Sequence, residues 1–217
     1  MRETRRAFSV LEVLVVLTLV GLLATLGVGA ASRALGMADR TDSTARLKTL
    51  GQAVFQYAAE HDQRLPGPLW PGQVMLYDAQ REGRLVRDLA DYLDIETRET
   101  PYVVDRMIPR AYRRAMPPGS PGDARIYVMN SSLILEGQVR APFGSLTAAP
   151  VVAPMRLTQF QNLSPADQWM ISEADQLHPD VAGAPWKSLT PAQPLHEGLR
   201  IHLAFDGAVS LDRVVPP

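Results

Sequence analysis

Hydrophobic and polar positions divide the chain into three stretches. From Phe8 to about Ala31 apolar residues run almost without a break, interrupted by Ser9, Glu12, Thr18 and Thr25. A run of roughly 20 residues or more predicts a helix long enough to cross the ~30 Å hydrocarbon layer of a bilayer. From Ser32 the chain stays helix-compatible but changes character. Met37 to Thr44 is polar; beyond Ala45, the residues Leu47, Leu50, Val54, Tyr57 and Ala58 recur at spacings of three and four and so share one face. No proline occurs between Phe8 and Leu65. One helix from Phe8 to about Glu60 is therefore predicted, roughly 80 Å long at ~1.5 Å per residue. Its first half reads as a membrane span and its second as the spine of a globular head. Arg64-Leu65-Pro66-Gly67-Pro68 supplies the stop.

The third stretch, from Leu69 onward, is rich in proline and shows no further span or repeat. Arg84 to Leu93 has helical spacing. Ala124–Met129, Asp167–Ser172 and Arg200–Phe205 read as strands, and Ala208–Arg213 as the partner of the last of these, through a tight turn at Asp206-Gly207. The expected fold class is α+β: a long N-terminal helix packed on a small antiparallel sheet. The expected organisation is a leader over 1–7, a transmembrane part of the helix over 8–31, a spine helix over 32–65 and a globular head over 66–217.

The flanks of the apolar run give it a direction. Arg2, Arg5 and Arg6 precede it, and positive charge holds that side in the cytoplasm. The run is too long for the ~7–15-residue apolar core of a secretory signal peptide. A plain anchor fits the length, whereas the leader and the length count against a buried core helix, and neither gives Glu12 a purpose. A carboxylate inside a membrane costs about 2–3 kcal/mol at mid-bilayer and marks a functional position. The run contains no Lys or Arg. Cleavage between Ala7 and Phe8 would supply a cation, an α-amino group at the start of the same helix.

Composition narrows the chemistry. The net charge is -1, so no global field favours nucleic acid. There are no cysteines, which excludes disulfides, thiolate nucleophiles and cysteine-based zinc sites. Of the four histidines, His61, His178, His196 and His202, no two stand four apart on a helix, and no H-E-x-x-H or G-x-S-x-G sequence is present. His61 lies at a helix end, where it caps or meets solvent. His202 alternates with Ile201 and Leu203 and should face away from the core. His196 and Asp206 are expected to meet across the last hairpin in a structural hydrogen bond, with a metal or catalytic pair as the alternative. Glu173 and Asp175 form an acidic pair after a strand. The basic run holding Arg106, Arg110, Arg113 and Arg114 reads as a solvated face, with nucleic acid as the alternative.

Ala7-Phe8-Ser9-Val10-Leu11-Glu12 resembles the cleavage and methylation site of type IV prepilins and type II secretion pseudopilins. In that family a peptidase cuts before a Phe, the new N-terminus is methylated, and a glutamate pairs with the N-terminal amine of a neighbouring subunit. The resemblance assigns processing to Ala7 and Phe8 and assembly to Glu12. Ala7 stands where the family usually has Gly. The run also lacks the proline that kinks many pilin helices; Gly21, Gly27 and Gly29 offer local flexibility instead.

Leu47-Lys48-Thr49-Leu50-Gly51-Gln52-Ala53, Tyr57-Ala58 and Asp62-Gln63-Arg64-Leu65-Pro66 look like the spine of a pseudopilin-like subfamily with a late H-x9-D-G motif. Here that motif is His196, nine residues, then Asp206-Gly207. These three residues are taken as a structural motif. The resemblance implies a filament subunit and no enzyme, with no cofactor and no metal. It implies a single-pass protein of the bacterial inner membrane, its head in the periplasm. The implied partners are a prepilin peptidase and methylase, other pseudopilin subunits, an inner-membrane assembly platform and membrane lipid, without nucleic acid. Two other classes stay open: a membrane-anchored periplasmic binding module that does not polymerise, and an anchored hydrolase.

Overall fold

The computed structural model describes residues 10–116, 122–160, 163 and 168–214. The chain forms two compact units, 1–38 and 39–217. Helix α1 (Val10–Glu60) belongs to both.

In the first unit, α1 exposes its large apolar side chains, among them Leu11, Val20, Leu23 and Val28. It is the only helix among the described residues long and apolar enough to cross a membrane, and none of its most apolar segment is buried. Its hydroxyls turn back on their own helix. Thr18 Oγ1 donates to the carbonyls of Leu14 (2.9 Å) and Val15 (2.8 Å), Thr25 to Leu22 (2.8 Å) and Ser32 to Val28 (3.0 Å). Each polar group is thereby satisfied without a partner outside the helix.

The second unit is α+β. The stripe read from sequence is the buried face of α1: Leu47, Leu50, Val54 and Ala58 are fully buried, with Ala53 beside them. Tyr57 is only half-buried and stacks on His61, ring centroids 3.9 Å apart. The helix stops at Glu60, the end predicted from the sequence pattern, and before the prolines. Asp62 and Gln63 take positive φ (53° and 62°), and Gln63 N–H donates to the carbonyl of Ala58 at 2.8 Å. This left-handed cap, and not Pro66, ends the helix.

A five-stranded antiparallel sheet packs on this face. Its strands are β1 (Gly72–Gln73), β4 (Tyr127–Met129), β7 (Trp169–Glu173), β8 (Leu199–Ala204) and β9 (Val209–Arg213), in the order β1-β4-β7-β8-β9. Two small hairpins accompany it, β2 (Leu76–Tyr77) with β3 (Tyr102–Val103) and β5 (Leu133–Leu135) with β6 (Gln138–Arg140). The helix approaches the sheet closely at Gly51, where a Cβ would lie 2.8 Å from Cδ2 of Leu203. The stretch expected as a helix from Arg84 to Leu93 is broken. Helix α2 (Leu85–Asp88) is followed by a separate 3-10 turn, Asp91–Leu93, closed by Asp94 at φ 51°.

Helix α3 (Arg110–Ala115) docks on α1 through Asp42, whose carboxylate accepts from Arg110 N–H (2.9 Å) and from the side chain of Arg46 (2.8 and 3.0 Å). The sheet is covered on its other face too. Val128, Ala174 and Val181 form a second small core there, with Trp169 and Trp186 packed against it. Val181 comes from helix α4 (Pro179–Ala182). Alternate side chains of β4 therefore enter different cores: Tyr127 and Met129 face α1, Val128 the other side.

Candidate functional site

Ala7 and Phe8 lie outside the described residues. Glu12 sits in the first turn of α1 and is exposed.

The last hairpin holds the other expected site. Leu203 pairs with Val209, and the loop enclosed by Ala204 and Ala208 is Phe205-Asp206-Gly207. This is a three-residue loop, one longer than the turn read from sequence. Gly207 N–H donates to the carbonyl of Ala204 (3.0 Å), and Ala204 N–H to that of Ala208 (2.8 Å). Asp206 Oδ1 accepts from Ala208 N–H at 2.9 Å, and Gly207 has φ +86°. These are the marks of a turn closed by a glycine bulge. The extra loop residue, Phe205, is buried and stacks on Phe160 at 4.2 Å.

The structure does not bring His196 to Asp206. His196 lies at the opposite end of β8, bridged to Leu199. It is 2% exposed, and its Nε2 lies 3.2 Å from Oε1 of Glu173 at the end of β7. The nine residues between His196 and Asp206 run the length of the strand, so the spacing separates the two side chains.

Glu173 begins a buried polar strip. Two residues on, Asp175 accepts from two guanidinium nitrogens of Arg200, Nε at 2.7 Å and Nη2 at 2.8 Å, and from Leu177 N–H at 2.9 Å. Between the two acids, the carbonyl of Ala174 accepts from the hydroxyl of Tyr112 at 2.5 Å. Burial pushes the Tyr112 phenol well above its ordinary range, and the charges of Glu173 and Asp175 push it further. Burial and Glu173 act on Tyr127 in the same direction. A proton therefore stays on each phenol. Both acids already have cationic or histidine partners, and among the described residues no three His, Asp or Glu side chains gather to hold a metal ion. The strip is suited to locking β7 to β8 and α3.

His202 faces away from the α1 core, as its alternation with Ile201 and Leu203 predicts, but it enters the second core instead of solvent. It is 8% exposed, near His178 (6.4 Å between centroids) and Trp169 (6.2 Å), with Nε2 at 3.4 Å from Asp212. His178 is buried too, and its Nδ1 accepts from Asp180 N–H at 3.1 Å, capping α4. Burial, then the charges of Arg200 and His202, lower the His178 pKa to about 3. Burial lowers that of His202 as well. His61 caps its own helix, with Nδ1 2.8 Å from the carbonyl of Tyr57.

The basic run is more engaged than a solvated face. Arg106 donates to the carbonyls of Leu93 and Asp94, Arg113 to that of Asp105, and Arg114 pairs with Asp39. Sequence reasoning passed over a different set of arginines. Arg81, Arg84 and Arg125 come together with Trp70 and Trp186 around a cavity. About 40 residues separate Arg84 from Arg125 in the chain, and no local pattern joins them. No family model matches the chain, and neither does a curated protein or a solved structure.

Proposed function

We propose that the chain is a pseudopilin-type subunit, a structural component of a type II secretion or type IV pilus-like filament. The observation that carries this reading is a single helix with two kinds of surface. The early part of α1 exposes apolar side chains suited to a membrane. Its later part buries the Leu47–Ala58 stripe under an antiparallel sheet. The sequence resemblance at Ala7–Glu12 and along the spine supports the same reading. In the second unit the buried acids Glu173 and Asp175 are held by His196 and Arg200.

In this proposal a prepilin peptidase removes residues 1–7 and methylates Phe8. The new amine and Glu12 of a neighbouring copy then pair in the low-dielectric filament core, where such a pair is strong. The assembly platform in the inner membrane adds subunits, and the head works in the periplasm. A second reading, an anchored binding module that does not polymerise, is favoured by the arginine- and tryptophan-lined cavity. The experiment is mass spectrometry of the mature N-terminus from membrane-extracted protein. The expected result is N-methylated Phe8. An intact Met1 or cleavage near Ser32 would sink the proposal.

A further inference from the structure

The cavity has a volume of ≈ 330 Å³ and is lined by Arg81, Arg84, Arg125, Trp70, Trp186 and Leu189, among others. That volume lies at the small end of the ~300–1,000 Å³ of small-molecule sites.

Its walls are fixed by close backbone approaches. At Gly72 in β1, a Cβ would lie 2.9 Å from Cε2 and Cζ2 of Trp186, so the indole closes directly on the strand. At Gly83 (φ +76°), a Cβ would lie 2.6 Å from Cδ1 of Trp70. Trp70 is further held by its Nε1–H, which donates to the carbonyl of Glu82 at 3.2 Å. Fully buried Gln73 clamps the loop that carries Arg84: its Nε2 donates to the carbonyl of Gly83 (3.0 Å) and its Oε1 accepts from Leu85 N–H (2.8 Å). Arg125 N–H donates to the carbonyl of Leu189 at 3.0 Å, fixing that arginine to the Trp186–Leu189 turn.

The charge in this frame is unbalanced. Arg84 is 3% exposed. Among the described residues, none of the three arginines forms an ion pair, and Nε of both Arg84 and Arg125 is buried without a hydrogen-bond partner. Burial, then Arg81 and Arg125, lower the Arg84 pKa to about 10, against weaker opposition from Asp78 and Asp123. Arg84 therefore stays cationic at neutral pH. Burying Arg84 and half-burying Arg125, with Arg81 at the mouth, is costly unless an anion joins them. Guanidinium forks match the planar and tetrahedral oxygens of carboxylate and phosphate.

We propose that this cavity binds a small molecule carrying an oxyanion, phosphate or carboxylate, on a compact ring. The oxyanion meets Arg81, Arg84 and Arg125, and the ring lies against Trp186 and Leu189. A bare inorganic anion satisfies the arginines but leaves the cavity-facing parts of Trp186 and Leu189 uncovered. This site is independent of polymerisation, because nothing in it depends on the apolar part of α1.

The test uses the full chain in detergent micelles, with tryptophan fluorescence and calorimetry as readouts. The probes are glucose 6-phosphate, glucuronate, inorganic phosphate and neutral glucose. One of the two ring-bearing anions is expected to bind about tenfold or more tightly than inorganic phosphate, with a change in tryptophan emission, and glucose is not expected to bind. Which of the two binds tells phosphate from carboxylate. Arg81→Gln, at an exposed position, and Arg125→Gln should each weaken binding by about tenfold with an unaltered circular dichroism spectrum. The proposal is overturned by equal affinity for inorganic phosphate and both ring-bearing probes. It is also overturned by full affinity in both variants, or by no binding of any probe at about 10 mM.

Discussion

Gly207 faces the ring of Phe55: a Cβ there would lie 3.0 Å from its Cε2. The last hairpin meets α1 at this point, and φ of Gly207 is +86°. Gly207→Ala therefore carries two penalties, backbone strain and a tight contact. We expect it to cost about 1–2 kcal/mol in urea denaturation of a fragment spanning 34–217. Adding Phe55→Leu should recover the contact part only. Full recovery would assign the whole cost to packing, and no cost at all would contradict the turn geometry.

That fragment is itself a prediction. Among the described residues, no buried hydrophobic side chain precedes Leu47. A chain beginning at Ala34 should therefore be soluble, monomeric and folded, with a structured near-UV circular dichroism spectrum. A molten spectrum and aggregation would mean that the apolar part of α1 completes the core.

The two ends of β8 should respond differently to truncation. His196→Ala leaves the carboxylate of Glu173 buried beside a void, and we expect a loss of about 3 kcal/mol. Asp206→Ala removes one exposed acceptor from Ala208 N–H, with a loss of about 1 kcal/mol. A double-mutant cycle between His196 and Glu173 should show coupling; between His196 and Asp206 it should show none. Strong coupling in the second pair would restore the contact expected from sequence.

What could be read from sequence was whatever is encoded locally. The three-and-four spacing of Leu47, Leu50, Val54 and Ala58 marks a helix face wherever it occurs. The strands around Ile171 and Ile201 are long enough to show their character, and Asp206-Gly207 is a turn by its own chemistry. The strands that escaped notice, such as Gly72–Gln73 and Leu76–Tyr77, have only two residues each. No periodicity exists over such lengths, and these strands form because partners such as Tyr127 and Tyr102 are presented to them. Partner choice was equally hidden. His196 finds Glu173 and not Asp206 because the pleat and length of β8, and not distance along the chain, decide which groups meet. The second core also lay out of view, and so the burial of His202 on the far face of the sheet had no signal in the alternation of β8.

Stability should depend on pH in two opposing ways. His178 has a folded pKa of about 3, below its ordinary 6.5. Its contribution is full above pH 6.5 and is lost as pH falls toward 3, because protonated Nδ1 no longer accepts from Asp180 N–H. One such group is worth about 2 kcal/mol between pH 6.5 and 5. Asp88 is raised from 3.8 to about 6, first by burial and then by Glu82, against Arg87. Its contribution is full below pH 3.8 and is lost as pH rises through 6. His202, also lowered by burial, acts in the same sense as His178, so urea midpoints of the parent fragment should rise between pH 5 and 6. His178→Asn, which keeps a capping acceptor, should gain less stability than the parent as pH rises across that window. Asp88→Asn should become more stable. Parallel profiles in all three would contradict both assignments.

Glu12→Ala tests the assembly proposal. Membrane insertion should be unchanged or improved, since a costly carboxylate leaves the apolar segment. Crosslinked oligomer ladders in membranes should shrink, because the neighbour's amine loses its partner. Unchanged ladders would favour the anchored binding module.

The hydroxyls of Thr18, Thr25 and Ser32 turn back onto carbonyls of their own helix. The apolar segment is thus chemically quiet along its flanks. Whatever lies beside it, a lipid tail or another helix, meets few polar atoms there that seek a companion. Sideways recognition in that stretch is then a question of relief and not of bonding. Between bulky Leu and Val side chains, the backbone is bare at Gly21 and Gly29, where an added methyl group would meet nothing within 4 Å. A surface of that kind tolerates exchange of one aliphatic side chain for another and is sensitive to filling of its notches.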